Sequence, residues 1–261
     1  MLNRLLKASL VACLAATTLT VAAQGAYPNR PVKVIIPFPP GGMLDTVGLL
    51  AEGHRVRSVI DCSTGDPQAL AALAGRLALR RIAFIEGPLS GSSQQIAAGE
   101  ATQLLGGDPD AIASCDAVLQ ALASRRIRVG VAGMAAKAKL ATNLVLGLNR
   151  AALAEGMVFA ETLGLEPETF LALVLATPAR SGAAEAKGEM MVRGDFTPQS
   201  RIRQHLKDVE LMLASAAQAG QPLPLSEAHA RLMRDAIDAG DGDLDNAALI
   251  RQFRRQRRFP A

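Results

Sequence analysis

Lys139 and Asn143 are the side chains in this 261-residue chain best suited by type and spacing to act together on a small molecule. They lie in the run Gly130-Val-Ala-Gly133-Met-Ala-Ala-Lys-Ala-Lys139-Leu-Ala-Thr-Asn143. Residues i and i+4 of a helix share a face, so an ammonium and an amide there can meet one ligand. A buried lysine titrates lower than a free one, which suits proton transfer near neutral pH. A lone lysine on an apolar helix is more often a surface group whose stem lies along the apolar face. Lys137 lacks an amide partner at i+4, and the Leu140, Leu144 and Leu148 stripe reads as core.

Positioning such a pair takes a particular set of elements. Strands are expected over residues 57–61, 82–85, 102–105 and 126–129. Asp66-Pro67 opens a helix to about Arg81, with Asp66 as cap and Pro67 at the first helical position. Pro109 opens another, to about Ser124. Alternating strands and helices predict an α/β layer. Beyond Gly133 the pattern turns helical throughout. Residues 134–163 form one helix of roughly 45 Å, and further helices are expected over 167–176, 181–190, 199–219, 224–239 and 245–253. Taken alone, Ser90-Gly91 is compatible with an ordinary turn, against which only its place after a strand argues, and Asp61, Ser63 and Thr64 are equally compatible with a cap for the next helix.

Composition narrows the classes. The chain is 49% hydrophobic and 3% aromatic, which is ample for a core and leans helical. Much of the net charge of +4 comes from Arg251-Gln-Phe-Arg-Arg-Gln-Arg-Arg258. This run reads as a solvated, partly disordered terminus. Without interleaved aromatics it gives no reason to expect nucleic-acid binding. Cys13, Cys62 and Cys115 show no metal or disulfide spacing. His54, His205 and His229 are scattered, so no metal is expected.

The first fifty residues have a different character. Residues 1–23 read as a secretory leader: Arg4 and Lys7, an apolar run, then small residues at Val21-Ala22-Ala23. The apolar run is too short to span a membrane. Residues 24–49 contain Tyr27-Pro-Asn-Arg-Pro and Pro37-Phe-Pro-Pro-Gly-Gly42 around a strand expected at Val32–Ile36. Together they resemble the start of the periplasmic binding proteins of tripartite tricarboxylate transporters. The resemblance ends near residue 48.

From about Gly48 to Phe253 the chain resembles the β-hydroxyacid dehydrogenases, the family of 3-hydroxyisobutyrate dehydrogenase and tartronate semialdehyde reductase, relatives of 6-phosphogluconate dehydrogenase. Asp61-Cys-Ser-Thr64 matches its Asp-x-Ser-Thr, and Glu86-Gly-Pro-Leu-Ser90-Gly91 its Asp-Ala-Pro-Val-Ser-Gly substrate loop. Gly99–Gly107 matches a strand with a paired-glycine end, and Lys139 and Asn143 match the catalytic helix. Asp195-Phe196, Lys207-Asp208, Gln221–Leu225 and Gly240–Asp245 match landmarks of its helical domain.

The resemblance implies a fold of α/β plus all-α class: an incomplete Rossmann-like parallel-sheet NAD(P)-binding domain over residues 50–130, joined by a long helix to a helical domain over 131–261. It implies hydride transfer between a small 3-hydroxy acid and NAD or NADP. Lys139 would be the general acid/base and Asn143 would orient the substrate oxygen. Ser90 and Gly91 would hold the carboxylate. Ser63 and Thr64 would line the cofactor cleft, and Lys207 would sit near the nicotinamide end. A homodimer through the helical domain is implied as well.

Against this pattern, no Gly-x-Gly-x-x-Gly occurs. That turn brings backbone N–H groups to a dinucleotide pyrophosphate. The dehydrogenase part therefore reads as truncated at its N-terminus, with cofactor binding weakened or lost. The leader implies a periplasmic address, and the body a cytoplasmic one. Two other readings remain: a periplasmic solute-binding protein for carboxylates, resting on the first fifty residues, and an inactive dehydrogenase remnant.

Overall fold

A computed structural model describes residues 56–257 and the short strand Val34–Ile35. The leader at 1–23 and nearly all of 24–49 lie outside the described residues. The first unit is built in the order β1 (Val34–Ile35), β2 (Ser58–Asp61), α1 (Pro67–Ala78), β3 (Ala83–Glu86), β4 (Leu89–Ser90), α2 (Ser93–Ala97), β5 (Thr102–Gly107), α3 (Pro109–Ser114), α4 (Asp116–Leu122) and β6 (Arg125–Gly130). The long helix α5 (Met134–Thr162) follows, then α6 (Pro167–Ala176), α7 (Gly182–Arg193), α8 (Ile202–Gln218), α9 (Pro224–Ala236) and α10 (Leu249–Arg255). Between α9 and α10 lie a wide turn, Ile237–Asp241, and one tight 3-10 turn, Asn246–Ala248.

Strands β1, β2 and β3 are parallel neighbours, with Val34 opposite Ile60 and Val59 opposite Phe84. The segment expected at Val32–Ile36 thus contributes a strand beside β2. Strand β5 runs antiparallel to β3, and β6 runs parallel to β5. The reversal has a simple cause. No crossover helix packs back between β3 and β5; the chain continues through β4 and the one-turn α2, and returns against itself as a hairpin does.

Both sheet faces are covered, as parallel strands require. Val59 and Phe84 pack with Leu70, Leu77 and Ala136 on one face. Ile60, Ile85 and Leu105 pack with Leu119 on the other. Helix α1 begins as expected: Asp66 accepts from the Gln68 and Ala69 N–H groups behind Pro67. It stops before Arg81, which is left-handed (φ 57°), while Ile82 N–H closes onto Leu77 O at 3.0 Å. The helix expected from Pro109 to Ser124 is two helices, broken at Cys115 (φ −104°, ψ 9°).

Helix α5 is the backbone of the second unit. Its 29 residues span about 44 Å at 1.5 Å per residue. Leu140 packs with Ile202, Leu206, Val209 and Met233. Further along, Leu153, Met157 and Val158 pack with Leu171, Met191 and Ile250. The C-terminal arginine run departs from expectation. Over its described part it is pinned, with Arg251 and Arg255 on Asp241, and Arg254 and Arg257 on Glu161. Buried Asp241 and half-buried Glu161 supply partners that local sequence does not reveal. Among the described residues, no helix is long and apolar enough to cross a membrane.

Candidate active site

Strands β2 and β3 end at one edge of the sheet, where open α/β sheets bind ligands. Two loops leave that edge. The first begins Asp61-Cys62-Ser63-Thr64, and its turn is set by Ser63 N–H donating to Asp61 Oδ1 at 2.8 Å. The second runs Glu86-Gly87-Pro88-Leu89-Ser90. Gln103, fully buried on β5, joins them: its Nε2 donates to Gly87 O at 3.1 Å and reaches Cys62 Sγ at 4.0 Å. Burial and the neighbouring Asp61 push the Cys62 thiol up to about 11, which leaves it unreactive as a nucleophile.

Glu86 anchors the long helix. Gly133, in a left-handed conformation (φ 92°), precedes α5 and offers no side-chain cap of its own. Glu86 Oε2 instead accepts from Gly133 N–H at 2.8 Å and Ala135 N–H at 3.0 Å. This carboxylate from β3 satisfies donors a helix start leaves open and complements its positive end. Burial nevertheless raises its pKa, opposed by those N–H bonds. The α5 N-terminus is thus already filled by an anion of the chain itself.

One and a half turns on, Lys139 is 7% exposed, and its Nζ donates to Leu89 O at 2.8 Å. The expected helix face and the expected loop therefore meet. Asn143, also buried, donates through Nδ2 to Asp208 Oδ2 on α8 at 3.4 Å. Burial lowers the Lys139 pKa, and the nearby Asp208 carboxylate works against that shift. Burial raises the Asp208 pKa, opposed by Lys207, Lys139 and Asn143.

The other expected residues are spread around this centre. Ser90 is half-buried, one residue beyond the carbonyl that Lys139 grips, and Gly91 is exposed. Ser63 is buried and Thr64 half-buried on the adjoining loop. Lys207 is exposed at the rim beside Asp208. Lys137 and Asn149 face solvent, while Leu140 is core. Sequence reasoning missed the roles of Glu86, Gln103 and Asp208. Each works through a partner at least 16 positions away, so no local spacing marks it. Among the described residues, no group of three or more His, Cys, Asp or Glu is placed to hold a metal.

A nicotinamide dinucleotide fits part of this arrangement. The Ser63 and Thr64 loop lies at the ligand edge of the parallel strands, joined through Gln103 to the loop that carries Leu89. The pyrophosphate has no seat at the α5 N-terminus, because Glu86 occupies it. The glycine-bearing segment before β2 lies outside the described residues.

Comparison with known proteins agrees with this fold. Residues 41–133 match the model of the NAD binding domain of 6-phosphogluconate dehydrogenase. Residues 133–253 match the model for NAD-binding of NADP-dependent 3-hydroxyisobutyrate dehydrogenase. The chain is 32% identical over 207 residues to L-threonate dehydrogenase of Cupriavidus necator, covering 79% of this chain and 70% of that protein. It resembles the crystal structure of 3-hydroxyisobutyrate dehydrogenase from Salmonella typhimurium, with a TM-score of 0.70 and 28% identity over 74% of this chain and 68% of that one. It also resembles the Mycobacterium tuberculosis 3-hydroxyisobutyrate dehydrogenase solved with L-serine, with a TM-score of 0.72 and 25% identity over 78% and 72% of the two chains. The dehydrogenase match begins at residue 41 and runs through both units, which leaves the solute-binding reading without support. The chain belongs to the 3-hydroxyisobutyrate dehydrogenase family of NAD(P)-dependent oxidoreductases.

Proposed function

We propose that this protein oxidises a small 3-hydroxy acid, or reduces the matching aldehyde acid, with NAD or NADP. The observation that carries the reading is the buried Lys139 ammonium held at the Leu89 carbonyl, next to Ser90. Lys139 is the general acid/base. In oxidation the substrate O–H bond breaks, its proton goes to neutral Lys139 Nζ, and the C–H pair leaves as hydride. Burial makes neutral lysine more accessible near pH 7. The nicotinamide, when bound, supplies the hydride acceptor.

Asn143 orients the substrate oxygen. The Ser90 hydroxyl and Gly91 N–H hold the carboxylate. Ser63, Thr64 and Lys207 line the cofactor side. Removing Asn143 or Ser90 leaves a polar substrate atom unpaired, so selectivity follows from hydrogen bonding rather than from shape alone.

The test is absorbance at 340 nm with purified protein, NAD+ or NADP+, and L-threonate, 3-hydroxyisobutyrate or L-serine. Substrate-dependent reduction of either cofactor is expected. No turnover with any pair, together with no cofactor binding by calorimetry, overturns the proposal.

The helical unit also supports a homodimer. Val145, Ala152 and Phe159 recur every seven residues on the exposed side of α5, the spacing of a helix–helix seam. Val145 and Phe159 remain 56% and 62% exposed. Light scattering on the eluting protein should give twice the chain mass; a monomer at micromolar concentration rejects this part.

A further inference from the structure

We propose that Arg150 anchors an internal binding site for a small monovalent anion of halide size, within the helical unit and separate from the Lys139 centre. Arg150 lies eleven residues beyond Lys139 on α5, about 16 Å along the helix. It is 5% exposed. Its Nε and Nη1 have no hydrogen-bond partner among the described residues. A buried guanidinium with open N–H groups is expensive to keep, and pairing relieves that cost.

The surroundings favour an anion. Asp245 is the acidic group that interacts with Arg150, but it is already committed. Its Oδ2 accepts from Lys187 Nζ at 2.9 Å, Gln199 N–H at 2.9 Å and Ser200 N–H at 3.0 Å, and its Oδ1 accepts from Ala247 N–H at 3.0 Å. Arg150 therefore feels the Asp245 charge but donates no hydrogen bond to it among the described residues.

His205 and His229 flank the site, with ring centroids 5.4 Å apart. Burial and the Arg150 charge both hold these imidazoles neutral. His205 Nε2 is buried and unpartnered as well, and it donates in the tautomer that carries its proton there. Three buried nitrogens on two side chains therefore lack a partner among the described residues.

Size is limited by Gly147. A Cβ there would lie 2.5 Å from His205 Nε2 and 3.0 Å from His229 Cε1. Packing this close excludes an anion as bulky as phosphate, so the proposed occupant is monatomic. The ligand would tie α5 to α8 and α9, stabilising the helix that carries Lys139.

The experiment follows thermal unfolding in chloride, at ionic strength held constant with gluconate, and crystallography of bromide-soaked protein. The wild type should gain about 4 °C in midpoint at ten times the chloride dissociation constant, and the gain should keep rising with the logarithm of the chloride concentration. Arg150→Met, an apolar replacement of similar volume, should fold and lose the chloride response; Arg150→Lys should weaken it at least tenfold. Anomalous bromide signal within 3.5 Å of the guanidinium supports the site. Equal chloride responses in the wild type and Arg150→Met overturn it. So does a crystal in which water fills the position, or in which the guanidinium closes onto Asn246 Oδ1, an orphaned buried acceptor next to Asp245.

Discussion

Lys139 Nζ and the Leu89 carbonyl oxygen, 2.8 Å apart, join the long helix to the loop that begins at the end of β3. Fifty positions separate the two residues. The contact holds a buried ammonium one residue from Ser90, the group proposed to hold the substrate carboxylate. Lys139→Ala should cut turnover about a thousandfold, the range of general acid/base catalysis. Far-UV circular dichroism should remain unchanged. Turnover within tenfold of the wild type would falsify the acid/base assignment.

Glu86 closes the start of the same helix through Gly133 and Ala135 N–H. Glu86→Ala leaves two buried donors open and should cost about 2–3 kcal/mol. Glu86→Gln retains an acceptor and should cost less. Urea midpoints of the two variants give the comparison. Equal losses would mean that the negative charge, not an acceptor oxygen of that shape, is what the helix start needs.

Two glycines on helices should respond oppositely to alanine. Gly75 on α1 has nothing within 4 Å of an added Cβ, so Gly75→Ala should gain about 0.5–1 kcal/mol through helix propensity. Gly147→Ala drives a methyl into His205 and should lose about 1–3 kcal/mol despite the same propensity gain. Thermal midpoints moving in the same direction would contradict this packing.

Acid should weaken the helical unit through its buried histidines. The His229 pKa falls from 6.5 to about 4, first from burial and then from Arg150. A depressed folded-state pKa means that the unfolded chain takes up the proton first. The associated stability is fully present above about pH 6.5 and is lost as the pH falls toward 4. His205 shifts in the same direction. Glu86 and Asp208, raised by burial, act in the opposite sense. The readout is therefore the difference between wild type and His229→Gln. The variant should show a shallower decline in urea midpoint from pH 7 to pH 5, and parallel curves would rule out the histidine contribution.

Local order set by periodicity and caps was legible in the amino-acid sequence. Asp66-Pro67 and the 134–163 apolar run announce α1 and α5, because capping and helix faces depend on neighbours within four residues. The i+4 spacing of Lys139 and Asn143, and the ordered match of Asp61 to Asp245, pointed to the family for the same reason. Tertiary structure decided whatever depends on distant partners. It turned β5 back on β3, brought His205 to His229, and gave Glu86, Gln103 and Asp208 their work. It also tied the terminal arginines to Glu161 and Asp241. A charge reads the same in a string whether it ends in water or against a buried carboxylate; burial and Coulombic attraction act over ångströms, and only the folded chain sets those distances.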